Sequence, residues 1–251
     1  MNPKTLPPQL IGLMSVLLLA VACGAAAPAT APEIGAKTWN LVVLGGGKSW
    51  GVGKLYAADI EADERVKVTL HDLAREVDGT SQMLDDLRTF DVYRKAVKDA
   101  EVIIFEASAL DYTGAGFFEE GSRFECSSKA MDSYKADLDA IIAEIFALRK
   151  GKLTLIRAMD LYSSSNGDWK KWGKYEEYKR CWEAMSATIH QVAAERKIPV
   201  AEVYTAFNGP SHDEEPMDKG YIQPDGEHPS EAGARVIAEA FRKLGYVPSV
   251  L

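Results

Sequence analysis

The sequence predicts an α/β protein, a three-layer α/β/α sandwich around a five-stranded parallel sheet, and three features of its patterning carry that expectation. Short apolar runs alternate with longer amphipathic stretches, the rhythm of βαβ units. The short runs are rich in β-branched residues and Leu, which suit a pleated surface. The longest connections each follow a predicted strand, so they gather on one rim of the sheet, where open α/β sheets bind ligands.

The strands are expected at residues 41–44, 66–70, 102–105, 153–156 and 200–203. Between them, Leu138, Ile141, Ile142, Ile145 and Phe146 share one face at a period near 3.6, as do Trp182, Met185, Ile189 and Val192. A last helix carries Ala232, Val236, Ile237, Ala240, Phe241 and Leu244, with Pro229 expected in its first turn, where a missing N–H costs nothing. The connections 111–132, 160–174 and 207–227, together with the turn after Leu44, mark the expected pocket.

The chain has 251 residues, 47% of them hydrophobic, enough to bury one full core once a leader is removed. Lys4 is the only charge before the apolar run 10–22, which is short for a bilayer span and ends in small residues. Residues 1–22 are therefore read as a secretory signal peptide rather than a buried core helix. Ala20-Val21-Ala22-Cys23-Gly24 resembles a bacterial lipobox, in which the thiol is acylated after cleavage; an ordinary cleaved signal with Cys23 merely near the cut is the alternative. The Ala- and Pro-rich segment that follows makes 23–37 a solvated tether, leaving 38–251 as the domain. The expectation is an exported cell-envelope monomer that meets the membrane only through a lipid on Cys23. In that location Cys126 and Cys181 either pair or remain two buried thiols. A net charge of −8 argues against nucleic-acid binding or a polybasic membrane role.

The chemistry concentrates in Pro224-Asp225-Gly226-Glu227-His228-Pro229-Ser230-Glu231-Ala232-Gly233. A hydrolase needs an imidazole held in one tautomer by a carboxylate on its far nitrogen, and a tight turn can set Asp225 beside His228. The same residues also suit a solvated turn with helix-capping groups. Asp225-x-x-His228-Pro229, the following Ser230-Glu231-Ala232-Gly233 and the amphipathic run behind them resemble the last block of the SGNH (GDSL-type) hydrolases. That resemblance implies a flavodoxin-like α/β/α fold and hydrolysis of carboxylic esters, including acyl groups on lipids and sugars, without a cofactor. It also implies that Asp225 and His228 are the acid and base.

The family's first block is a strand followed by Gly-Asp-Ser, with a further glycine four positions after the serine. The matching segment here is Leu44-Gly45-Gly46-Gly47-Lys48-Ser49-Trp50-Gly51-Val52-Gly53. In one register Gly46 replaces the aspartate and Gly47 the serine; shifted by two, Ser49 becomes the nucleophile and the aspartate is lost. Gly47-Lys48-Ser49-Trp50-Gly51 also satisfies the G-x-S-x-G pattern between a strand and a helix, although Ser49 could equally cap that helix. The spacing of these glycines excludes a P-loop, which would need glycine at Val42, and a dinucleotide fingerprint, which would need one at Trp50 or Tyr56.

The second block is a glycine whose N–H helps hold an oxyanion, and Gly79 matches it; a glycine needed only by the turn is the alternative. Ser49 would supply the other N–H. The third block, Gly-x-Asn-Asp, falls on Glu106-Ala107-Ser108-Ala109-Leu110-Asp111 and lacks the Asn. His212 has no second His at ligand spacing, so no metal is expected. Trp169, Trp172 and Tyr175 suit either a pocket wall or aromatics over the core edge. Two functions emerge: an ester hydrolase using Ser49, Asp225 and His228, or an inactive relative that binds an ester, glycan or acyl ligand.

Overall fold

The computed structural model describes residues 37–75, 79–108, 110–113, 120 and 126–250. The leader, Cys23 and all of the tether but Lys37 lie outside the described residues. Five strands, β1 (Thr38–Leu44), β2 (Lys67–Asp72), β3 (Val102–Phe105), β4 (Leu153–Met159) and β5 (Val200–Ala201), form a parallel sheet in the order β2-β1-β3-β4-β5. The reversal of direction beside β1 places a crevice at the carboxyl ends of β1 and β3, where a doubly wound sheet opens.

Helices cover both faces, and the alternation of strand side chains shows how. Val42, Leu44, Ile103, Phe105, Ile156 and Ala158 join one core with α2 (Thr80–Thr89), α3 (Asp91–Asp99), α5 (Ser128–Arg149) and α7 (Tyr175–Glu195). Leu41, Val43, Val102, Ile104, Leu155 and Met159 join the other with α1 (Val52–Glu64) and α9 (Glu231–Lys243). A period of two sends successive residues to opposite faces, so uninterrupted apolar strands serve both layers at once. Short helices α4 (Leu110–Thr113), α6 (Asn166–Lys171) and α8 (Val203–Asn208) sit in the long connections.

Four expectations change in detail. Strand β5 stops at Ala201, and Val203 opens α8 because the Asp160 carboxylate accepts the Tyr204 N–H at 2.9 Å and ties off that helix start. Pro229 precedes α9: Ser230 is the N-cap, accepting the Gly233 N–H at 3.1 Å. A short β6 (Ser249–Val250) runs antiparallel to the first residues of β4, a stretch that β5 does not reach. Trp169 is fully buried against Tyr178 and Trp182, with Trp172 and Tyr175 packed on the same core, so these aromatics are core rather than pocket wall.

Cys126 and Cys181 form a disulfide that ties the segment ahead of α5 to α7. Among the described residues no helix is long and apolar enough to cross a membrane.

Candidate active site

The loop ahead of α9 is a closed, hydrogen-bonded unit. Gln223 N–H donates to the His228 carbonyl at 2.8 Å, Ser230 N–H to the Tyr221 carbonyl at 2.8 Å, and Gly226 N–H to the Gln223 carbonyl at 3.0 Å. Gly226 takes φ +80, a left-handed conformation that lets the chain turn between Asp225 and His228. The Ser230 hydroxyl, itself the cap of α9, also donates to the Gly220 carbonyl at 2.6 Å. The imidazole is thus carried on a turn braced against a helix.

Within that turn Asp225 Oδ2 lies 3.0 Å from His228 Nδ1, while Oδ1 accepts the N–H groups of Glu227 at 2.9 Å and His228 at 3.0 Å. Burial alone raises the Asp225 pKa, but the two backbone donors and the imidazole outweigh it, and the carboxyl is held below its ordinary value. An ionised carboxylate on Nδ1 fixes the proton there and leaves Nε2 as the basic atom. Nε2 is buried and makes no hydrogen bond among the described residues. Trp50 stacks on the imidazole, ring centroids 4.2 Å apart and planes 10° from parallel.

Trp50 arrives from the turn after β1. Gly45 has φ +140, and a Cβ there would meet the Glu106 carbonyl at 2.7 Å, so only glycine lets β1 and β3 approach so closely at the rim. Gly46 N–H donates to Glu106 Oε2 at 2.7 Å. A 3₁₀ turn, Gly47–Ser49, follows, and α1 begins at Val52 with Gly51 as its cap, so Ser49 does not cap the helix. Ser49 is 2% exposed; its N–H and its hydroxyl both reach the Gly46 carbonyl, at 3.1 and 2.8 Å. The fold therefore brings Asp225 and His228 together, and places Ser49 in the adjoining turn with its hydroxyl on Gly46 rather than on Nε2.

Gly79 is the N-cap of α2 and bridges in parallel to Ser108, beside the carboxyl end of β3. A Cβ at Gly79 would run into the Asp111 carboxylate, which accepts the Ser81 N–H at 2.8 Å. The glycine thus leaves room for the exposed Asp111 carboxylate beside the start of α2. In the third block Ser108 is buried and its hydroxyl accepts the Leu110 N–H at 3.3 Å; Ala109 lies outside the described residues.

Several groups at this rim were not anticipated. Lys48, in the same 3₁₀ turn, is buried with Nζ 4.3 Å from the Tyr162 ring centroid and 5.3 Å from that of Trp182. Burial pulls its pKa from 10.5 to about 8, against the opposing fields of Glu227 and Glu106. Tyr162 donates its hydroxyl to the Glu227 carbonyl at 3.0 Å, one residue before His228. Burial, then the field of Glu106, pushes the phenols of Tyr134 and Tyr162 well up. The only sequence signal for this group was Glu106 itself, a carboxylate placed directly after an apolar strand. His212 lies elsewhere, stacked on Tyr204 at 3.8 Å with Nδ1 3.5 Å from Glu183.

The structure is thus a parallel five-stranded α/β/α sandwich with a His–Asp pair on the loop before its last helix. Comparison with solved structures finds the same fold in several lipases and esterases. A lipase from a goat rumen metagenome superposes with a TM-score of 0.67 at 21% identity, over 83% of this chain and 98% of that one. An acetyl xylan esterase from Geobacillus stearothermophilus gives 0.59 at 15% identity, over 85% and 97%. A lipase/acylhydrolase from Enterococcus faecalis gives 0.57 at 16% identity, over 82% and 95%. At these identities the likeness is one of fold. No protein-family profile and no curated protein sequence matches the chain.

Proposed function

We propose that the protein is an exported hydrolase of carboxylic esters, with His228 as general base, Asp225 as its orienting carboxylate and Ser49 as nucleophile. The observation that carries this reading is the Asp225–His228 contact at 3.0 Å, with Nε2 buried and unbonded among the described residues. In this mechanism Nε2 takes the hydroxyl proton as Ser49 attacks the ester carbon, then returns it to the leaving alcohol. Water repeats the sequence on the acyl-enzyme. The Gly79 N–H supports the oxyanion. Attack requires the Ser49 hydroxyl to leave the Gly46 carbonyl and turn to Nε2, a tightening often made only with substrate bound. The leader, the Cys23 anchor and the monomeric state belong to the same proposal, and lipid or glycan esters are the substrates it implies. Lipase and esterase neighbours of like fold support the substrate class.

A second reading, an inactive relative that holds an ester, glycan or acyl ligand, is favoured by the engagement of both Ser49 polar groups with Gly46. Hydrolysis of p-nitrophenyl acetate and butyrate by wild type, Ser49→Ala and His228→Ala, with fluorophosphonate labelling, separates the two. Loss of activity in both variants with label on Ser49 supports the enzyme. No activity above background and no label supports the binding protein.

A further inference from the structure

Asp160, His190 and Glu202 come from three elements and meet in one place. Asp160 follows the last residue of β4, Glu202 follows β5, and His190 lies on α7. His190 Nε2 is 3.2 Å from Asp160 Oδ2 and 3.8 Å from Glu202 Oε2, and one ligand atom of each residue lies within 4.8 Å of the others.

We propose that these three side chains form a binding site for a divalent transition-metal ion such as Zn²⁺. Two ligands at about 2.0–2.1 Å from a tetrahedral ion stand roughly 3.3 Å apart. The His190–Asp160 separation already meets that spacing, the His190–Glu202 separation exceeds it by about half an ångström, and Glu202 must also close on Asp160, from which it lies within 4.8 Å. Its side chain is 65% exposed, so packing does not oppose that movement. Asp160 is the fixed point: it is nearly fully buried, with Oδ1 on the Tyr204 N–H at 2.9 Å and Oδ2 accepting the Ser186 hydroxyl at 3.3 Å. Such outer contacts are what orient a ligating carboxylate. Two carboxylates and one imidazole balance the charge of the ion, and the exposed side next to Glu202 admits water as a fourth ligand. On binding, His190 Nε2 gives up its proton to solvent and the metal takes its place. Chain spacing hides the site, because its ligands lie 30 and 42 positions from Asp160 to His190 and Glu202 and include one histidine.

The test is isothermal titration calorimetry of the purified full chain, stripped with chelator, against ZnCl₂. One saturable site is expected, weakened at least about 100-fold in Glu202→Gln and His190→Ala and roughly tenfold in Ser186→Ala. Glu202 is exposed, so Glu202→Gln reads the site without threatening the fold. Absence of saturable binding up to about 1 mM, or equal binding by wild type, Glu202→Gln and His190→Ala, overturns the proposal. The readout is metal affinity, so it stands apart from the fate of Ser49 and of ester hydrolysis.

Discussion

The indole of Trp50 lies face to face on the imidazole of His228, centroids 4.2 Å apart. It joins the turn after the first strand to the turn before the last helix, and it holds the ring in the plane that Asp225 requires. A stacked pair of this kind is worth about 0.5–1.5 kcal/mol beyond its buried area. Trp50→Ala is expected to lower the melting temperature by about 2–4 °C per kcal/mol lost and to reduce ester turnover about tenfold, whereas Trp50→Phe retains most of both. Thermal unfolding and kcat/KM on p-nitrophenyl butyrate check this.

Asp225→Asn removes the charge that selects the tautomer while leaving a side chain able to hold the turn. Turnover is expected to fall by about 10²–10⁴-fold, the range of a lost acid–base contribution. The carboxyl is held below its ordinary value in the fold, so its stabilisation is present above the unfolded value of about 3.9 and lost as pH falls through the lower folded one. Unfolding of wild type and variant from pH 7 downward should therefore converge only in that acidic window.

Lys48 titrates near pH 8 when folded and at 10.5 when unfolded, because burial disfavours its ammonium. Between those values the unfolded chain binds the extra proton, so stability rises with pH. Relative to Lys48→Met, the wild type is expected to gain about 3 kcal/mol across that window. Urea unfolding of both proteins at several alkaline pH values measures the difference, and a flat difference would remove Lys48 from this account.

Gly79→Ala brings a methyl group onto the Asp111 carboxylate, the far end of an exposed side chain that turns aside at the cost of its Ser81 contact, so a loss of about 0.5–1.5 kcal/mol is expected. Asp111→Ala in the same chain should restore most of the stability. Alanine keeps the backbone N–H, so if Gly79 serves the oxyanion through that group, turnover should recover together with the fold in the double variant.

The fold was legible because uninterrupted apolar strands such as 102–105 and single-faced helices such as α7 reflect burial directly. Asp225 and His228 were legible because three residues of separation set their contact locally. The partners of Lys48 were not: a lysine in a glycine turn ordinarily reads as solvated, and only the assembled sheet puts it over Tyr162 and Trp182. The Ser49 hydroxyl bond to Gly46 was equally hidden, since it depends on a 3₁₀ turn, whereas the sequence offered a nucleophile or a helix cap. The early end of β5 follows from the contact between Asp160 and Tyr204, which no local pattern announces.

The Trp50–His228 stack also has a consequence for biosynthesis. Its two halves come from near the two ends of the domain, and α1 must pack on α9 before the rings can meet. A growing chain that still lacks its last helix carries Ser49 and Gly79 but has not yet assembled the stack of Trp50 on His228. Under the proposed ester chemistry, the site is complete only once the segment around α9 has folded onto α1.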